Sequence, residues 1–150
     1  FRPMLQADAE AVAGWRYPEP FSFYDWTADA EDLAELLDPS RRGDWYAAVE
    51  DDAGELVGYF SFKPEPPGTV VLGLGLRPDH TGRGLGGDFL RAGLDHARSS
   101  HGPERFSLSV ATFNRRAIRV YERAGFSAVR TYMHHTNGGN WEFVEMSRPA

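Results

Sequence analysis

The sequence of 150 residues contains no cysteine. That absence excludes a disulfide framework, a thiolate metal site and a cysteine nucleophile. No apolar run approaches the ~20 residues needed to cross a bilayer, and nothing at the start has the order of a secretory leader. A cytoplasmic protein with no membrane partner is the expectation. The five histidines, at positions 80, 96, 101, 134 and 135, lack metal-ligand spacing, so no metal is expected. Basic residues nowhere interleave with aromatics, and with a net charge of -6 no nucleic-acid partner is expected either.

What is present suits one folded unit. A hydrophobic content of 41% over 150 residues is enough for one core and too little chain for two, so a single domain over residues 1–150 is expected. Phe1-Arg2-Pro3-Met4 reads as the end of a strand whose beginning lies outside the sequence. The charge is unevenly placed. Residues 1–55 carry fourteen acids against four arginines, and residues 56–150 carry twelve bases against eight acids. Such a field suits an anion in the later part and a cation near the earlier one.

Periodicity predicts helices over 7–16, with Ala11, Val12 and Trp15 buried, and over 29–37, with Leu33, Leu36 and Leu37 buried. Between them lies WRYPEPFSFYDW, six aromatics in twelve positions, as core cover or pocket wall. Strands are expected at Trp45–Glu50, Leu56–Phe62 and Val70–Leu76, with Pro64–Gly68 as a loop. A helix follows over 84–98, burying Leu85, Phe89, Leu90, Gly93, Leu94 and Ala97. Phe106–Val110 is then a strand and 114–124 a helix. Strands near Phe126–Met133 and Trp141–Met146 close the chain around an Asn137-Gly138-Gly139 turn. The order describes a mixed α/β domain, not an alternating βαβ array.

The stretch TVVLGLGLRPDHTGRGLGG, residues 69–87, carries the chemistry. Its glycines remove side chains that would keep an anion from the backbone, and the next helix offers unpaired N–H groups. The letters also fit a dinucleotide fingerprint, but Arg77–Thr81 separate strand from turn, and the acidic residue due about twenty positions on is missing. Fewer than seventy residues follow, too few for the rest of a doubly wound sheet. Gly73 and Gly75 in the strand suggest a bulge or a splayed edge that an amide-bearing molecule could pair with. Coenzyme A has that shape.

Thr81-Gly82-Arg83-Gly84-Leu85-Gly86 resembles the cofactor motif Arg/Gln-x-x-Gly-x-Gly/Ala of the GNAT superfamily of acyl-coenzyme A dependent N-acyltransferases, with Thr81 in place of the usual Arg or Gln. Asn114 to Phe126, NRRAIRVYERAGF, is similar to the family's Asn-x-x-Ala-x-x-x-Tyr-x-x-x-Gly-Phe helix. Asn114 also suits an N-cap and Gly125-Phe126 a helix stop, whereas Tyr121 is needed for neither. Arg115, Arg119 and Arg123 fall on the opposite face as a solvated stripe. The likeness covers residues 45–147 well and the first 44 in outline.

The resemblance implies a GNAT-like α/β fold: a mostly antiparallel central sheet with a splayed strand pair and about four helices. It implies an N-acetyltransferase moving an acetyl group from acetyl-coenzyme A to a primary amine of a small molecule or peptide N-terminus through a ternary complex. Backbone at Leu74, Gly75 and Leu76 would line the pantetheine arm and polarise the thioester. Gly82, Arg83, Gly84, Leu85, Gly86 and Gly87 would cradle the pyrophosphate, and Asn114 would bond the cofactor arm. Tyr121, a phenol of pKa about 10 facing a thiolate of about 8.5, would protonate the departing sulfur. Val70, Val71 and Leu72 supply no carboxylate, so base candidates are His134, His135, Glu142 and Asp25. Tyr24, Asp25, Trp26 and His134 are expected to contact the acceptor. A site without a strong base favours a weakly basic amine. A homodimer is compatible with the resemblance, and a non-catalytic acyl-coenzyme A sensor is the alternative.

Overall fold

The computed structural model describes residues 1–150. Strands β1 (Arg2–Pro3), β2 (Tyr46–Glu50), β3 (Leu56–Glu65), β4 (Thr69–Leu76), β5 (Arg105–Ala111), β6 (Ser127–Thr136) and β7 (Gly139–Pro149) form one sheet in the order β1-β2-β3-β4-β5-β7-β6. Every neighbouring pair is antiparallel except β4 with β5. That parallel pair requires a crossover, supplied by a helix of sixteen residues.

Five helices cover the sheet: α1 (Gln6–Ala13), α2 (Ala30–Leu37), α3 (Pro39–Arg42), α4 (Gly86–His101) and α5 (Arg115–Arg123). The extra one relative to the sequence reading is α3, a single turn that Asp38 caps and Pro39 opens. Helix α1 stops at Ala13 with Gly14 as its cap, short of the expected Trp15, and buries Ala9 and Val12 while Ala11 faces outward. Leu85 is likewise displaced from its expected inward place. It caps α4 and is 39% exposed.

Alternation along β3 divides the interior. Phe60 and Phe62 join Leu72, Leu90, Leu94, Ala97, Phe106 and Leu108 on the face covered by α4 and α5. Tyr59, one residue out of phase, packs with Trp15 and Trp26 near Ala9, Val12, Leu36 and Tyr46 on the face covered by α1 and α2. Helix α4 approaches closely enough that a methyl on Gly93 would run into the Phe60 ring.

Two local expectations change. Pro64 and Glu65 are not loop but the end of β3, paired with Val70 and Thr69, so only Pro66–Gly68 turn. Strand β4 has no bulge, since its pairing with β3 runs unbroken from Glu65 and Thr69 to Gly58 and Leu76. Its glycines answer a different need. A Cβ on Gly75 would stand 2.5 Å from the Tyr59 ring, and one on Gly73 would collide with the Ser61 hydroxyl. The splayed edge is present, because β4 pairs with β5 only at Thr69–Val71 and Arg105–Ser107. Beyond Val71 the two strands part into a V.

Candidate active site

The backbone of β4 sets the chemistry inside the V. Arg77 N–H donates to Val57 O at 2.8 Å, and the antiparallel register then gives the odd-numbered residues 71, 73 and 75 to β3. Beyond the last β5 rung, the N–H and C=O groups of Leu74 and Leu76 therefore face the opening. Leu76 demonstrates it, because its carbonyl accepts the Tyr17 hydroxyl at 2.7 Å. Of the three residues expected to pair with an extended ligand, Leu74 and Leu76 have peptide groups aimed to do so, while those of Gly75 belong to β3.

A cavity of about 380 Å³ opens where the strands part. Its walls include Tyr24, Asp25, Trp26, Tyr59 and Phe143, and Asp29, Asp32 and His134 line it too. The expected acceptor residues Tyr24, Asp25, Trp26 and His134 thus converge. His135, on the other face of β6, bonds Asn140, and Glu142 accepts from Thr112 outside the cavity; neither can act as its base.

Two contributors were missed at the sequence level. Asp29 Oδ1 caps α2 through the N–H groups of Glu31 and Asp32, both at 3.0 Å. Its Oδ2 accepts from Thr136 Oγ1 at 3.0 Å and from Asn137 N at 3.1 Å, tying α2 to the β6–β7 turn. Those N–H donors, Asn137 first, hold its carboxyl below the ordinary value. The cap was legible in the sequence and the second attachment was not. Asp32, one helical turn on, has no hydrogen-bond or ionic partner. Burial first, then the charges of Asp29 and Glu35, push its carboxyl up.

A second cavity, of about 210 Å³, lies between the glycine turn and α5. Gly82, Gly84, Leu85 and Gly86 line it, with Phe89 and Val120. Arg83 and Gly87, also expected there, do not. Gly82 and Gly84 take φ of +72° and +74°, conformations that L side chains rarely adopt, and a Cβ on Gly84 would meet only open space. An anion can therefore approach the turn's backbone and the first N–H groups of α4. Combined with the Leu74 peptide groups and the Leu76 N–H, which β3 leaves free, this donor set fits a ligand with a diphosphate at one end and amides along its arm, as coenzyme A has.

The two cavities meet. Leu74, Gly75, Leu76, Thr81, Asn114 and Tyr121 line both, with Arg116 beside them. Tyr121 packs against the core alongside Ala117 and Ile118 and edge-on to Phe126. Burial, then the neighbouring Tyr24, raises its phenol well above the usual value, so it stays protonated at neutral pH. Asn114 caps α5, its Oδ1 accepting from Ala117 N at 3.2 Å, and its Nδ2 donates to the Tyr24 hydroxyl at 3.2 Å. Arg115, Arg119 and Arg123 are exposed, as expected.

A splayed sheet whose V joins a glycine-rich turn to an aromatic, acidic chamber fits the fold of the acyl-coenzyme A dependent transferases. The chain belongs to the GNAT acetyltransferase family, whose acetyltransferase (GNAT) domain matches residues 1–127. It is similar to the mycothiol acetyltransferase of Salinispora tropica, 30% identical over 148 residues, which cover 92% of this chain and 47% of that protein. With the mycothiol acetyltransferase of Propionibacterium freudenreichii it is 40% identical over 98 residues, 59% of this chain and 31% of the other. The chain thus spans half or less of the length of these curated relatives. In fold it is similar to the spermidine N-acetyltransferase from Vibrio cholerae in complex with CoA and spermine. There the TM-score is 0.78 at 18% identity, covering 99% of this chain and 93% of that one. A GNAT-family acetyltransferase from Bacillus anthracis gives 0.74 at 17%, covering 99% and 92%. No helix is long and apolar enough to cross a membrane.

Proposed function

We propose that this chain transfers an acetyl group from acetyl-coenzyme A to a primary amine, of a small molecule or a peptide N-terminus, with both substrates bound at once. The observation that carries this reading is the seam, because Tyr121 and the Leu74 and Leu76 backbone border the anion-turn cavity and the acidic chamber together. An acyl group held there faces the amine on one side and its own leaving thiol on the other.

The residues divide the work by chemistry. Gly82, Gly84, Leu85 and Gly86 hold the diphosphate through backbone and helix N-terminus. The N–H of Leu74 or Leu76 donates to the acyl carbonyl as negative charge grows on its oxygen. As the new N–C bond forms and the C–S bond breaks, Tyr121 gives its proton to the thiolate. The amine's proton leaves through the chamber, where Asp25, Asp32 and His134 stand. Before that step the same carboxylates attract the amine as a cation.

The test combines thermal stabilisation by acetyl-coenzyme A with free-thiol release across a panel of amines. Amine-dependent thiol release is the expected result. Stabilisation with no thiol release from any amine would replace the transferase with an acyl-coenzyme A sensor, and no stabilisation would remove both.

A further inference from the structure

We infer that Arg116 supplies the side-chain cation of the diphosphate site, from α5 and not from the turn itself. The inference rests on the coenzyme A site proposed above and adds a residue to it.

The turn directs no cation of its own into the cavity. Thr81 spends its one hydroxyl proton on the Pro78 carbonyl, 2.7 Å away. Arg77 is held by Asp79 at 2.7 Å and reaches the Leu56 carbonyl and His80. Arg83 is exposed and outside the cavity wall. Backbone N–H groups alone would then face a ligand carrying at least two negative charges.

Arg116 stands beside that turn. A Cβ placed on Gly82 would lie 3.5 Å from its Nη1, so the guanidinium borders the Gly82 peptide, and the residue lines both cavities. It makes none of the chain's ion pairs and donates none of its side-chain hydrogen bonds. Its guanidinium lies over the Phe21 ring, 4.3 Å from the centroid, which orients the plane while leaving its edge donors free.

Its position on the helix makes the absence of an anion costly. Arg116 sits in the first turn of α5, where the helix dipole already repels a cation, and that turn has no acidic residue. The amino-terminal end of α4 adds a second positive end across the same cavity. A diphosphate between them relieves both repulsions and takes the planar fork edge-on.

Calorimetric titration of coenzyme A and of dephospho-coenzyme A, which keeps the diphosphate and lacks the 3′-phosphate, tests this without turnover. Arg116→Ala is expected to weaken both ligands on the order of tenfold, to flatten the salt dependence of binding, and to leave the circular-dichroism spectrum unchanged. Arg116→Lys, which keeps the charge without the fork, should fall between. Unchanged affinity in Arg116→Ala overturns the inference and leaves the proposed function standing. Weakened binding with an unaltered salt dependence also overturns it, placing the role in support of the Phe21 wall. Weakening confined to coenzyme A overturns the diphosphate assignment. Failure of the unaltered chain to bind either ligand overturns both the inference and the reading beneath it.

Discussion

Asn114 fixes the direction of the Tyr24 proton. Its Oδ1 must face the Ala117 N–H that it caps, so Nδ2 faces Tyr24, and the phenol can only accept from it. The Tyr24 hydroxyl proton is thereby left for the cavity beside Tyr121. Asn114→Asp separates this arrangement from capping, because aspartate caps as well but would draw the Tyr24 proton to itself. The expected result is a melting temperature little changed and turnover reduced on the order of tenfold, read by thermal melts and thiol release. A large loss of melting temperature would show that the cap was misassigned.

Tyr121→Phe keeps the packing against Phe126 and removes the proton donor. A fall in kcat of about 100-fold or more, with both KM values changed little, is expected of a lost general acid. Because burial holds the phenol above its usual pKa of 10.0, Tyr121 should give the unaltered protein no loss of kcat up to about pH 9. A kcat–pH profile checks both points, and an unchanged kcat in the variant would leave Tyr121 as core.

Asp29→Ala removes a helix cap and the attachment of α2 to the β6–β7 turn together. A loss of about 1–2 kcal/mol at pH 7 is expected by urea denaturation. The folded-state pKa is depressed, so this contribution is full above the unfolded value of 3.8 and disappears as pH falls through the lower folded one. The variant and the unaltered protein should therefore converge in stability in strong acid.

Asp32→Asn removes an unpartnered carboxylate from the acceptor chamber without changing its shape. KM for cationic amines should rise several-fold at low salt, with kcat within about twofold, and the difference should shrink as salt is added. A fall in kcat at unchanged KM would instead assign Asp32 to removal of the amine proton.

Gly75→Ala places a methyl against the Tyr59 ring. A destabilisation of about 1–3 kcal/mol is expected from chemical denaturation, with a weakened acceptor KM because Tyr59 lines the chamber.

The conformations of the glycine turn and of α5 were readable in the sequence because their demands are local. Positive φ at Gly82 and Gly84, the cap at Asn114 and the helix stop at Gly125, with φ of +92°, each require a particular residue at a particular place. Gly75 carried an ambiguous signal. A missing side chain announces a close approach without naming the neighbour, which proved to be Tyr59 on the adjacent strand and not a ligand at a bulge. The chamber was legible in its aromatic loop and at His134 but not at Asp29, which meets Asn137 from 108 positions away, a meeting no local pattern records. Arg116 escaped notice for a similar reason. Among four arginines in one helix, its place over Phe21, beside Gly82 and between the two cavities distinguishes it, and all three are tertiary contacts.

The V between β4 and β5 also partitions inheritance. Donor-side groups come from residues 72–87 and 114–121 in the middle of the chain, while the chamber wall is drawn largely from residues 17–32 and 134–143 on either side of them. On the proposed function, substitutions in the flanking segments would retarget the acceptor while leaving the donor end untouched, and those two segments would have to be exchanged as a pair because Asp29 and Asn137 join them.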